Sequence, residues 1–320
     1  MRKKQLGKTG IEVSEVAFGG VEIGVPYGIG VHSEADMLAE KEAFSLLHRA
    51  IDEGINFFDT ARLYGMSEEI MGKAFRDKRE QIVLASKCRH LRQSNGQLIP
   101  AHQVRVFVEE SFQESLTALQ TDYLDVYMVH YADHEIFAME EVAETFSRLK
   151  KEGKVRSIGV SVYKAEETDL AIQSGVWDAI QLPFNLMDQS HGQHFSAAKE
   201  AGVAVIVRSV LMRGMLTDRL PKLPPQLKEV EDHILAFHQL LKQDGQFRGL
   251  PQFATQFALT HEAVSSVLVG IDRQEYLEEA VASANGSYFS SELLQQVQGM
   301  QFPRPEALNL AEWDKKGWLS

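Results

Sequence analysis

The 320-residue sequence has a single cysteine, Cys88, and only nine prolines. One thiol permits no internal disulfide, which fits a reducing cytoplasm. Cys88 follows Lys87, so on a strand the two point to opposite faces. A packed thiol is expected there, and a reactive one is the minor alternative. No apolar stretch reaches the ~18 residues that a membrane span needs. The first residues, Met1-Arg2-Lys3-Lys4, are basic but lead into no apolar core, so no secretory signal is expected. Runs of like charge are also missing. With a formal net charge of −12 this argues against a nucleic-acid partner. No Gly-x-Gly-x-x-Gly follows a strand-like run, so a doubly wound dinucleotide domain has no support.

What is present is alternation. Hydrophobic residues make up 44% of the chain, enough for a large core. The stretch 5–14 reads as a hairpin with a glycine turn, expected to cap the bottom of a barrel. Strand-like runs then appear at 16–20, 55–59, 82–87, 124–129, 155–160, 179–183, 203–207 and 264–269. Helical periodicity separates them at 42–53, 68–75, 104–119, 140–152, 166–174, 194–201 and 251–260, with an eighth helix at 275–284. Eight apolar strand–helix units predict an α/β fold, a (β/α)8 TIM barrel, with an N-terminal β-hairpin cap and long loops on the C-terminal face. Such barrels are the common exception to the usual domain length, so residues 1–320 are expected to form one domain.

The organising stretch is Ile55 to Tyr64. A buried strand stops at Asp59, and Tyr64 follows five positions on. Two later strands repeat the pattern, one ending on Lys87 and one leading to His130. In a parallel barrel all four side chains gather at one rim, where such folds place their chemistry. A buried lysine is costly unless paired, and Asp59 is its natural partner. The alternative is an ion pair that serves structure alone.

Asp59-Thr60-Ala61 with Tyr64, Lys87 and His130, together with Leu6-Gly7-Lys8-Thr9-Gly10 and Val13-Ser14, resembles the aldo-keto reductase family over nearly the whole chain. The resemblance implies an NAD(P)H-dependent reductase of an aldehyde, ketone or sugar carbonyl, with those four residues as its catalytic set. Tyr64 would donate the proton and Lys87 would lower the phenol's pKa from its usual ~10. Asp59 would hold Lys87, and His130 would orient the carbonyl oxygen.

The resemblance also implies a dinucleotide on the barrel rim. Ser161 matches the family's serine after strand five, although the asparagine that usually follows is Val162 here. Gln181 matches a glutamine on strand six. Arg208, followed by Ser209, stands where the family has an aromatic residue on the nicotinamide, and a guanidinium can stack in its place. Leu211 and Gly214 fall where backbone meets the pyrophosphate. Gly270, Asp272, Tyr276 and Glu279 fall in the adenosine segment, with Ala280 replacing an asparagine. Asp272 disfavours a 2′-phosphate, whereas Arg273 next to it favours one. NADP(H) is therefore preferred from the family and NAD(H) stays open.

On the substrate side stand Val21 and Tyr27, in a long loop with His32, and Tyr131. The insert 215–249 is either a surface helix or a flap over the cofactor. The tail holds Trp313 and Trp318 and is expected to dock, lining either the substrate pocket or an interface between subunits, so monomer and homo-oligomer both remain open. The pairs His191/His194 and His130/His134 lack further ligands, and no metal is expected. Two other functions compete: a cofactor-binding regulatory subunit with little turnover, and a lyase using Lys87 as a Schiff base.

Overall fold

The sheet is built from short strands that are apolar on both sides, so each can be buried between an interior and a surrounding layer. In the computed structural model, residues 1–29, 31, 33–218 and 223–319 are described, apart from the side chains of residues 244 and 311. His32 lies outside the described residues. The chain opens with a hairpin of β1 (Lys3–Gln5) and β2 (Glu12–Ser14), paired antiparallel with Lys3 opposite Ser14. Gly7 turns it at φ +55, and a Cβ there would lie 2.5 Å from the Gly202 carbonyl oxygen. Both facts require glycine.

Strand and helix then alternate: β3 (Val16–Gly19), α1 (Glu40–Asp52), β4 (Phe57–Asp59), α2 (Ser67–Phe75), β5 (Val83–Lys87), α3 (Ala101–Leu119), β6 (Leu124–Val129) and the single turn α4 (His134–Phe137). Next come α5 (Glu140–Lys151), β7 (Val155–Ser161), α6 (Ala165–Gln173), β8 (Ala179–Pro183), α7 (Phe195–Ala201) and β9 (Ala204–Arg208). The chain ends with α8 (Lys228–Asp244), α9 (Leu250–Thr260), β10 (Val264–Gly270), α10 (Gln274–Ser283), α11 (Ser291–Gln298) and α12 (Leu310–Lys315). Strands β3 to β10 are all parallel, each beside the next, and β10 returns to β3 with Val267 opposite Val16 to close the barrel. This is the expected (β/α)8 barrel. Helices α4, α11 and α12 were not anticipated; α4 and α12 are too short to show a period.

Two buried layers share the strands. Ala17, Phe57, Val83, Ala85, Val126, Met128, Ala179, Ala204, Ile206 and Leu268 fill the interior. Leu6, Ile11 and Val13 of the hairpin belong to the same cluster and plug the bottom. Residues of opposite parity, such as Phe18, Phe58, Leu84, Tyr127 and Val205, face the helices. The insert's α8 packs on α9 and buries Val230, Ile234, Phe237 and Leu240. Trp313 of the tail is buried, as docking requires. Cys88 is buried too, and burial pushes its thiol up to about 12, the behaviour of a packed group. No helix among the described residues is long and apolar enough to cross a membrane.

Candidate active site

Side chains two residues apart on a strand share a face. One such step beyond the interior residues Phe57, Ala85, Met128, Ala179 and Ile206 arrives at Asp59, Lys87, His130, Gln181 and Arg208. The same step from Leu268 reaches Gly270. Gly159, whose Cβ would meet interior Met128 and Ala179, leads in this way to Ser161. The strands therefore deliver a ring of functional groups to the C-terminal mouth as a continuation of the packed interior.

At its centre Lys87 Nζ donates to Asp59 Oδ2 at 2.5 Å and to the Thr60 carbonyl at 3.0 Å. Gln181 Nε2 donates to the other carboxylate oxygen at 2.8 Å. Lysine and aspartate are 0% and 3% exposed. The loop after β4 is tied back onto β5 by Thr60 N–H to Ala85 O and Arg62 N–H to Lys87 O. A turn from Ala61 then brings Tyr64 over the mouth. Its ring centre lies 4.9 Å from Lys87 Nζ. The ring meets the His130 imidazole edge-on at 5.4 Å, and His90 lies over His130 at 4.7 Å.

The electrostatics correct one expectation. Tyr64 is pushed well above the usual phenol value, first by burial and then by the Asp59 carboxylate, with Arg208 opposing. Lys87 is not among the groups that shift it: desolvation dominates, and the carboxylate that grips the ammonium acts on the phenol in the opposite sense. Burial pulls Lys87 below its ordinary value against the pull of Asp59. His130 is held well below the imidazole range by burial, then by Lys87, His90 and Arg208. Its Nδ1 is buried with no partner among the described residues.

Several of the residues expected around the cofactor already have protein partners. The Gln181 amide N–H is engaged by Asp59. Ser161 pairs with Gln181 across β7 and β8, and its carbonyl accepts from Ala132 N–H. Val162, in place of the asparagine, accepts from Arg208 at 2.8 Å through its carbonyl. The Arg208 guanidinium also reaches Ser209 Oγ at 3.3 Å and lies over the Tyr163 ring at 4.2 Å. Leu211 and Gly214 form a turn in which Gly214 N–H points back to Leu211 O, not outward as expected for a pyrophosphate contact. Asp272, Tyr276 and Glu279 are half-buried after β10, and Arg273 is exposed, 6.0 Å from the Tyr276 ring centre. On the other side, Val21 opens the turn to Gly24, Tyr27 lies under Arg213 at 4.6 Å, and Tyr131 meets Tyr163 edge-on at 5.0 Å.

Sequence reasoning missed Glu22, His90, Tyr163 and Arg213. Glu22 follows the Gly-Gly end of β3, the same signal that singled out Asp59. Its carboxyl packs on Gly270, where a Cβ would be 1.9 Å from Oε1, and burial pushes it up to about 8. His191 bonds to Thr168 Oγ1 and the Tyr163 carbonyl, a packing role, and no metal-binding cluster exists among the described residues.

An aspartate, a lysine, a tyrosine and a histidine thus gather at the C-terminal mouth of a closed eight-stranded barrel, the face on which enzymes of this architecture carry their chemistry. The model of the Aldo/keto reductase family matches residues 16–301, and the chain belongs to that family. It is 32% identical over 298 residues to L-galactose dehydrogenase of Arabidopsis thaliana, covering 88% of this chain and 87% of that one. It is 28% identical over 311 residues to the NADH-specific methylglyoxal reductase of Escherichia coli, covering 89% and 94%. Among solved structures, the holo form of an aldo-keto reductase from Bacillus halodurans superposes with a TM-score of 0.79 at 28% identity, covering 94% and 96%. Aldo-keto reductases use nicotinamide cofactors and act on small carbonyl compounds, and this chain is accordingly an oxidoreductase.

Proposed function

We propose that this protein reduces an aldehyde, ketone or sugar carbonyl to the alcohol, with Tyr64 as the proton donor. The observation that carries the reading is the Lys87–Asp59 contact at 2.5 Å directly beneath the Tyr64 ring, with His130 at that ring's edge. A bound nicotinamide supplies the hydride. The mouth suits such a group, because His130 Nδ1 and most of the Arg208 donors have no protein partner among the described residues.

Burial keeps Tyr64 protonated through neutral pH, so the proton is in place before reaction. An alkoxide is far more basic than a phenol, and transfer to it runs downhill. Lys87 then faces the phenolate, and Asp59 holds the ammonium in position. His130 stays neutral and donates to the carbonyl oxygen as negative charge develops there. Ser161, Arg208, Ser209, Leu211, Gly270, Asp272, Tyr276 and Glu279 are the proposed cofactor contacts. Gln181 and Gly214 act behind them, and Val21, Tyr27 and Tyr131 line the substrate side. NADP(H) is proposed over NAD(H), and the cytoplasm as the compartment. The Lys87 amine is fully buried between Asp59 and Thr60, which disfavours a Schiff-base lyase.

The deciding variant is Tyr64→Phe. Carbonyl turnover is expected to fall by about 10²–10⁴, with dinucleotide affinity by fluorescence titration within about 2-fold of wild type. Turnover near the wild-type rate would remove Tyr64 from the acid role.

A further inference from the structure

Loss of hydride turns a neutral dihydropyridine ring into one carrying a positive charge. For transfer, that ring must lie within about 3–3.5 Å of a carbonyl carbon held at Tyr64 and His130. The net charge around those two side chains therefore decides which redox form of the cofactor binds better. This inference rests on the function proposed above.

The charges can be taken in turn. Lys87 and Asp59, 2.5 Å apart, add to zero net charge, although the carboxylate acts on Tyr64 and the ammonium on His130. His130 and His90 are both held below the ordinary imidazole range by burial, and so are neutral at pH 7. Glu22, pushed up to about 8 by burial, is largely protonated. Asp272 acts on Glu22 at the β10 side of the rim, and is not among the groups acting on Tyr64 or His130. Arg208 remains. Its charge acts on Tyr64, His130 and Lys87 alike, lowering the pKa of each. Its partners, Ser209 Oγ, the Val162 carbonyl and the Tyr163 ring, are all uncharged. No described carboxylate lies within ion-pairing distance of it, although most guanidinium groups of this acidic chain have one. The mouth is thus locally cationic within a protein of net charge −12.

We propose that Arg208 selects the reduced over the oxidised dinucleotide: its uncompensated guanidinium repels the pyridinium ring left after hydride transfer. The site thereby favours release of the oxidised form and runs toward carbonyl reduction. The phosphates of the cofactor are identical in both forms, so their attraction to the protein cancels in the comparison.

The experiment measures dissociation constants of NADPH, NADP+, NADH and NAD+ on the full chain by titration calorimetry, for wild type, Arg208→Gln and Arg208→Lys. Thermal melts confirm that both variants fold. Wild type is expected to bind the reduced form at least ~10-fold more tightly than the oxidised form of the same dinucleotide. Arg208→Lys keeps the charge and should keep that ratio within about 2-fold. Arg208→Gln retains hydrogen-bond donors but not the charge, and should lower the ratio by at least ~5-fold. Equal affinity of wild type for both redox forms, or an unchanged ratio in Arg208→Gln, overturns the role of Arg208 and leaves the reductase reading standing. Failure of wild type to bind any of the four overturns both.

Discussion

At the scale of single residues, the site is held by a buried ion pair whose value depends on both members being present. Each charge is desolvated, and removal of one partner leaves the other uncompensated. Asp59→Asn is therefore expected to destabilise the protein by about 3–5 kcal/mol, read from urea midpoints. The double variant Asp59→Leu/Lys87→Met should recover most of that loss while remaining inactive. A double variant as unstable as the single one would show that the pair is not the source of the cost. Asp59, Lys87 and His130 were legible because each stands at or just after the end of an apolar strand, and Tyr64 because it follows Asp59 in the polar loop, all local signals. The grip of Gln181 on Asp59 was not, since 122 residues separate them. The direction of the Tyr64 shift was not legible either. It depends on desolvation and on how close Asp59 comes to Lys87, and neither is a property of spacing.

At the scale of elements, strand parity does most of the positioning, and the helices hold the strands in place. Helix α2, which starts just after Tyr64, packs against the end of α3 through Gly72. A Cβ at Gly72 would lie 2.3 Å from the Ala118 carbonyl oxygen and 2.7 Å from the Leu119 backbone. Gly72→Ala is expected to destabilise the fold by about 1–3 kcal/mol, because backbone cannot yield as a flexible side chain can. Chemical denaturation measures this, and an unchanged midpoint would mean that α2 shifts freely. The loop after β9 behaves differently. Ser209, Met212 and Arg213 adopt left-handed backbone without being glycine (φ 57°, 47° and 56°). Arg213 from that loop stacks on Tyr27 and pairs with Asp314 of the tail at 2.9 Å. Nothing in the local sequence announces these turns, which exist because three segments distant in the chain converge there.

At the scale of the whole molecule, burial of titratable groups sets the response to acid. His191 and His261 both have pKa values of about 4 in the folded state. His191 is fully buried, and His261 sits among the rings of Phe184, Phe195 and Phe257. Unfolded imidazoles take protons near 6.5, so the unfolded chain binds more protons as pH falls from 6.5 toward 4. Stability then drops by about 1.4 kcal/mol per pH unit for each group. Glu22 works in the opposite sense over part of this range, so the informative quantity is a difference. His191→Gln/His261→Gln should lose less stability than wild type between pH 6.5 and 4.5, read from urea midpoints, and equal losses would exclude these two histidines. The sequence by itself determined the alternation of eight strands and helices, the barrel that follows from it, and the three polar residues at strand ends with Tyr64 in the loop behind the first, because period and punctuation are local. Only the closed barrel decided which donors and charges meet: Gln181 on Asp59, Glu22 on Gly270, and Arg208 against the Val162 carbonyl and the Tyr163 ring with no described carboxylate in ion-pairing distance. Those contacts join segments far apart in the chain, and their energies depend on burial, which exists only once β10 has met β3.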